Sequence, residues 1–154
     1  AWRYFEINTR AETGLADSVA GHRATTMWDT ASHLLGVVAA GRLGLIDAAE
    51  VERRLESALA SLARMPLFED ELPNKSYDTV TLAMTDYDGH PTPRGIGWSA
   101  IDVARLLVPF EAIAWSHPRL TPAVRAVLGR WRTGRMVRDG LMYGARVDVD
   151  GQTQ

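Results

Sequence analysis

Cysteine is absent from the 154 residues. Disulfides, thiolate zinc sites and cysteine nucleophiles are therefore excluded together. Lysine is nearly absent: of 17 basic residues only Lys75 is a lysine. Spread along an alanine-rich chain, that skew reads as a genome-level bias more than as a site. An excess of charge is also missing. The 17 basic residues face 19 acidic ones, a formal net charge of −2, so nothing draws the chain towards a polyanion and no nucleic acid is expected as partner. No apolar run approaches a membrane span, and no basic-then-apolar signal opens the sequence. H-x-x-x-H spacing, a G-x-S-x-G elbow and a glycine-rich phosphate loop are all lacking, so no metal and no cofactor are expected. His22, His33, His90 and His117 then read as loop or helix-surface residues. The late arginines Arg125, Arg130, Arg132, Arg135 and Arg138 read as a solvated face.

What remains is an ordinary globular composition, 46% hydrophobic and 23% charged. The length suits one domain over residues 1–154, burying roughly 70% of its unfolded surface. The aromatic opening, Trp2-Arg3-Tyr4-Phe5, reads as the last turns of a helix that either docks firmly or continues something earlier. Thr26 with Asp29 three residues on makes a helix cap, and the following Ala31, Leu34, Leu35, Val37 and Val38 make a helix apolar nearly all round. Gly41 and Gly44 are expected to end it. Asp47 with Glu50 caps an amphipathic helix striped by Val51, Leu55, Leu59 and Leu62. Ser99 with Asp102 opens a second mostly buried helix, which Pro109 should kink or divide. Thr121 is expected to cap a last helix that carries Val124, Val127, Leu128 and Trp131 and stops at Gly134. Between the pairs, residues 66–97 are rich in turn signals, and the alternation from Thr79 to Thr85 argues a short strand.

The pattern is thus mainly α, with two helical hairpins at about 26–65 and 98–133 and short β-strands in the loops. Trp28 and Trp98 open the two buried helices 70 residues apart. Units that bury one helix and expose another stack into solenoids or close into α/α toroids, with the connecting loops gathered on one face.

Four strings add a resemblance: Thr13-Gly14-Leu15, Thr25 to Ser32, Leu72-Pro73-Asn74-Lys75 and Pro93 to Ala100. They resemble, in order and across nearly the whole chain, a bacterial family catalogued as a domain of unknown function. Its members are more than twice as long and similar in architecture to glucoamylase-type α/α toroids, and some occur in extracytoplasmic, carbohydrate-related settings. The resemblance implies a partial α/α toroid, an incomplete six-hairpin barrel, and favours a periplasmic or extracytoplasmic location. It brings no catalytic residues with it.

The loops supply candidates. Trp28 and Trp98 are either sugar platforms or core plugs at helix starts, since the CH faces of sugars pack on aromatic rings. Asp29 and Asp102 either point into a cleft or complete their caps. Asp86 lies with Tyr87 and Asp88 among turn signals; it is either an acid for glycoside hydrolysis, which needs two carboxyl groups across the scissile bond, or a turn cap. Lys75 and Arg94 bind substrate hydroxyls or make structural ion pairs. The reading is a carbohydrate-active domain, a glycoside hydrolase or related enzyme acting on a bacterial polysaccharide, with Asp29, Asp86 and Asp102 as acids. Trp28, Trp98, Lys75, Arg94 and Tyr87 would bind the glycan. The alternative is a non-catalytic glycan-binding or protein-interaction module. Self-association, or a missing remainder of the domain, is expected to cover Leu106, Phe110 or the aromatic N-terminus.

Overall fold

The computed structural model describes residues 2–154. It holds α1 (Trp2–Asn8), β1 (Ala24–Thr26), α2 (Met27–Arg42), α3 (Ala48–Arg64), β2 (Leu67–Phe68), β3 (Leu72–Pro73), β4 (Ser76–Asp78), β5 (Met84–Thr85), α4 (Ala100–Ser116), α5 (Thr121–Leu128), β6 (Val137–Arg138) and β7 (Leu141–Met142). The chain is mostly helical with short strands in its loops.

Three helices start where their capping residues stand. The Thr26 hydroxyl accepts the Asp29 N–H at 3.1 Å, Asp47 accepts the Glu50 N–H at 2.8 Å, and Ser99 accepts the Asp102 N–H at 3.3 Å. Each satisfies one of the donors that a helix start leaves free. Helix α2 makes its broadest contact with α4; α3 packs on α2, and α5 on α3 and α4. The core between them is apolar, with Leu34, Val37, Leu55, Leu59, Val103, Leu106 and Ile113 all buried. Gly41 lies inside α2 and does not end it: a Cβ there would stand 2.5 Å from Val51 Cγ2, so the glycine lets α2 and α3 approach. Gly44, at φ 68°, supplies the left-handed turn after the helix.

Four further expectations need correction. Helix α4 runs unbroken through Pro109, because the buried apolar side keeps it packed along its length. Thr121 is the first residue of α5 and not its cap. A 3₁₀ turn, Pro118–Leu120, leads into the helix, and the Thr121 hydroxyl bonds to the Ala114 carbonyl at 3.3 Å. Helix α5 stops at Leu128, and Trp131 lies beyond it against Phe110, ring centroids 5.6 Å apart. Leu106 and Phe110 are therefore covered from within, at 0% and 1% exposure, and need no partner. The apolar side chains that α4 does leave exposed are Ile101, Val108 and Trp115.

The alternating stretch from Thr79 to Thr85 is not one strand. Antiparallel β4 and β5 pair as Ser76↔Thr85 and Tyr77↔Met84, β1 pairs on the other side of β4, and residues 79–83 form the turn between β4 and β5. Leu82 sits at φ 64°, outside extended backbone. Thr79 is drawn inward because its hydroxyl donates to Asp17 at 2.6 Å and its carbonyl accepts the Thr13 hydroxyl, also at 2.6 Å. Asp17 in turn is ion-paired with Arg10. The N-terminal loop is thus tied to this turn through buried polar groups.

Helix α1 docks on α2 through Phe5, which stacks near His33 at 5.1 Å between centroids and occupies the space a Cβ on Gly36 would need. Arg54 stands over the Trp2 ring at 5.2 Å. His33 is 1% exposed. Thr9 donates its hydroxyl to the Phe5 carbonyl, so it accepts from His33 Nε2–H at 3.3 Å and leaves Nδ1 unprotonated and without a partner. Burial first, and the charge of Arg54 second, hold the His33 pKa at about 4.

Two predictions follow from this packing. Arg130 closes the open end of α3, donating to the carbonyls of Ala63 at 2.6 Å and Met65 at 2.9 Å. Replacing it with alanine should lower the unfolding free energy by about 1.5–3 kcal/mol, the range for hydrogen bonds to a charged group, as read by urea denaturation. Because His33 stays neutral when folded and protonates when unfolded, its contribution is complete above pH 6.5 and is lost as pH falls towards 4. Stability should fall by about 1 kcal/mol per pH unit between roughly pH 6 and 5, and His33→Leu should flatten that slope whatever its effect on absolute stability.

Candidate functional site

The starts of α2 and α4 and the loops around them bring several of the candidate residues together. Lys75 lies in the turn between β3 and β4, held by its N–H on the Gly97 carbonyl at 2.9 Å. The preceding Asn74 is fully buried and staples three segments: its Oδ1 accepts the Ile96 N–H, and its Nδ2 donates to the carbonyls of Ser76 and Thr85. Tyr77 locks the same corner, accepting the Asn74 N–H and donating to the Pro66 carbonyl. These bonds fix the path of 72–78 against 95–97, and so place Lys75 beside Trp98.

Lys75, Trp98, Ser99, Ile101, Met142 and Arg146 border a cavity of about 540 Å³, within the range of small-molecule sites. A second cavity, about 410 Å³, shares Trp98 and is bordered by Glu69, Arg135, Arg138 and Tyr143. Trp98 is only 6% exposed because residues 144–146 lie against it; the Ala145 N–H bonds to its carbonyl at 2.9 Å. Gly97, at φ 103°, would place a Cβ 2.0 Å from the Ala145 carbonyl oxygen, so no other residue fits there.

Asp102 joins this group electrostatically. Burial, then the charge of Arg146, lower the Lys75 pKa, and Asp102 opposes them. Burial and then Asp102 raise that of the Tyr87 phenol. Tyr87 is exposed, on a loop held by His22 at the Tyr87 carbonyl. Asp102 is half-buried, and no ion pair within 4 Å involves its carboxylate among the described residues. On the neighbouring turns Arg105 stacks on Trp28 at 3.9 Å from the ring centroid and donates to Ser32 at 3.1 Å. Trp28 remains 42% exposed.

Asp29, Asp86 and Arg94 stand differently. Asp29 Oδ2 accepts both the Ser18 and the Thr26 hydroxyls, at 2.7 and 2.6 Å. Asp86 Oδ1 accepts the N–H groups of Asp88 and His90 while Oδ2 meets His90 Nδ1 at 3.2 Å. The His90 N–H, first among these bonds, holds the Asp86 carboxyl below its usual range. Asp86, Asp88 and His90 bring ligand-type atoms within 4.8 Å of one another. The same turn recurs at Asp148-Val149-Asp150-Gly151, where Asp148 Oδ1 accepts from Asp150 and Gln152. Turn geometry therefore accounts for the cluster. Arg94 is exposed and borders a separate hollow of about 210 Å³ with Phe68 and Met84.

The repeat is also sharper than the tryptophans suggest. Trp28 lies inside the first turn of α2, whereas Trp98 precedes the Ser99 cap of α4. The caps and their acids, Thr26 with Asp29 and Ser99 with Asp102, share one offset of 73 residues. On that offset Trp28 corresponds to the exposed Ile101 and not to the buried Trp98. Arg105 was legible in the sequence as the arginine one turn beyond Asp102. Arg146 gave no signal, because only the return of the C-terminal segment brings it to the cavity.

Solved structures share the architecture. A proposed glucoamylase from Bacteroides fragilis superposes with TM-score 0.63 at 16% identity, over 86% of this chain and 33% of that one. A second, from Bacteroides caccae, gives 0.62 at 16% identity, over 86% and 35%. An endo-β-1,2-glucanase from Chitinophaga pinensis, in complex with sophorotriose and glucose, gives 0.64 at 11% identity, over 88% and 34%. The likeness is one of fold, and the chain spans about a third of the length of each of these structures. No curated protein sequence matches the chain. The sequence matches, from residue 1 to residue 154, the family described as "Protein of unknown function (DUF3131)", and the chain belongs to that family.

Proposed function

We propose that this chain is part of a glycoside hydrolase-like α/α toroid and contributes a glycan-binding, acid-bearing side of its cleft. The observation that carries the reading is the gathering of Lys75, Tyr87, Trp98 and Asp102 at the start of α4, beside the 540 Å³ cavity. The fold it shares with proteins named for glucan hydrolysis supports it. In this reading Asp102 is the acid: it stands at a helix start, half-buried, with its carboxylate outside any ion pair. Trp28, exposed and backed by Arg105, offers its open face to a sugar ring. Lys75 supplies a donor to glycan oxygens, and Tyr87, exposed and within reach of the Asp102 charge, supplies a further hydroxyl. Asp29 and Asp86 are the other candidate acids, with oxygens committed to the α2 cap and to the 86–90 turn. Arg94 is the outlying candidate for substrate contact.

A second reading, a non-catalytic glycan-binding module, is favoured by one specific observation. Hydrolysis needs two carboxyl groups facing across the bond, and of the three candidate acids only Asp102 has a carboxylate that accepts no hydrogen bond among the described residues. A hydrolase then draws its second carboxyl from outside these residues, whereas a binding module needs none. Self-association and an extracytoplasmic setting belong to the same proposal.

Incubating the protein with soluble bacterial glucans, β-1,2-glucan among them, and assaying reducing ends separates the two. A hydrolase loses about 100-fold or more of its rate on Asp102→Asn, the usual weight of one acid–base group, while still binding glucan. A binding module shows no turnover, and Trp28→Ala weakens its glucan affinity in affinity electrophoresis. Absence of both turnover and binding across the panel refutes the carbohydrate reading.

A further inference from the structure

Seven of the 16 arginines meet a carboxylate. Arg10, Arg23, Arg53, Arg54, Arg119, Arg132 and Arg135 each lie within 4 Å of one. The two cations that border the 540 Å³ cavity, Lys75 and Arg146, do not. Arg146 Nη2 reaches only the neutral Gln154 Oε1, at 2.9 Å. Two acidic groups face the pair. Asp148 lies on the Arg146 side and the two charges attract, but its oxygens bond elsewhere: Oδ1 accepts from Asp150 and Gln152, and Oδ2 accepts from the Gln154 amide. Asp102 lies on the Lys75 side, and its attraction ranks below the repulsion from Arg146 in its effect on Lys75.

Two positive charges thus border a partly apolar cleft, walled by Trp98, Ile101 and Met142, and neither makes an ion pair within 4 Å among the described residues. Like charges close together raise each other's energy, and apolar walls reduce the solvent that would screen them. A bound oxyanion would relieve that repulsion and take charge-assisted bonds from both, the guanidinium matching a planar carboxylate in particular. The apolar wall of Trp98, Ile101 and Met142 suits the CH groups of a sugar ring. The backbone positions both cations firmly: the Lys75 N–H is held on Gly97, and Arg146 exchanges two backbone bonds with Gln154 at 2.9 Å each.

We propose that the cleft beside Trp98 selects an acidic saccharide, one whose ring carries a carboxylate or another oxyanion that bridges Lys75 and Arg146. The proposal rests on the glycan reading of the site and narrows it to a substrate class. The lone lysine of the chain acquires a role in it: its positive charge meets the oxyanion.

Titration calorimetry with three probes tests it: a neutral glucose tetrasaccharide, a glucuronic acid tetrasaccharide of the same linkage, and glucose 6-phosphate. The uronate should bind about tenfold more tightly than the neutral sugar at low salt, as expected for one or two charge-assisted bonds. The advantage should shrink as salt rises to about 0.5 M, where screening is strong. Lys75→Met and Arg146→Met should each remove most of it, Arg146→Met without changing the affinity for the neutral sugar, and Lys75→Arg should keep it. Glucose 6-phosphate separates the sources of the oxyanion: if it binds as well as the uronate, charge alone is read; if only the uronate gains, the planar carboxylate is. Neutral and acidic sugars binding equally overturns the proposal and leaves the glycan reading standing, as does an acidic preference that survives both methionine variants with unchanged melting temperatures. Failure of every saccharide to bind overturns both.

Discussion

The packing of α2 against α4 is the constraint around which this structure is arranged. Both helices carry little charge along their inner sides, and the two make the broadest contact between elements. Burial of that kind is non-directional and cannot by itself choose which helix starts lie together. The choice comes from the ends. Each helix is capped by a hydroxyl residue followed three positions later by an aspartate, so each start is pinned and carries an acidic group near its positive end. Ser99, at the start of α4, borders the cavity through that arrangement of ends.

Around this pair the loops are held by buried polar groups more than by strands. The strands are two or three residues long and could not order the connections alone. Asn74, Tyr77, Thr79, Asp17 and Thr13 do so, each bonding across segments far apart in the sequence. Polar groups this deep stabilise only when fully partnered, and most of these are. Their cost is rigidity of sequence: none can be exchanged for an apolar residue without leaving its partner unsatisfied. The family-like string Leu72-Pro73-Asn74-Lys75 acquires a physical meaning here, since Asn74 fixes the turn from which Lys75 reaches the cavity.

The local readings that held were those governed by contacts three or four residues away. The caps at Thr26, Asp47 and Ser99 and the stripe of α3 are written in neighbouring residues, and the structure keeps them. The readings that failed depended on distant ones. Alternation from Thr79 to Thr85 looked like a strand, but Asp17 and Thr13, more than 60 residues earlier, draw Thr79 into a turn. Gly41 looked like a stop, but Val51 on the next helix needs its missing side chain. Leu106 and Phe110 looked as though they awaited a partner, but Trp131 and the rest of the core cover them.

By itself the sequence determined the helical class, the cap positions, the chemistry available to the loops and the absence of any thiol. Those depend on composition and short-range periodicity, which one chain displays in full. Only the tertiary structure decided which candidates share a place. It set Lys75, Trp98 and Arg146 around one cavity, with Asp102 near enough to act on Lys75 and Tyr87 through its charge, turned Trp28 outward, and committed oxygens of Asp29 and Asp86 to a cap and a turn. The reason is geometric. A site is made by side chains that converge from separate segments, and their separation in space is set by how helices pack, a quantity that no local pattern of residues records.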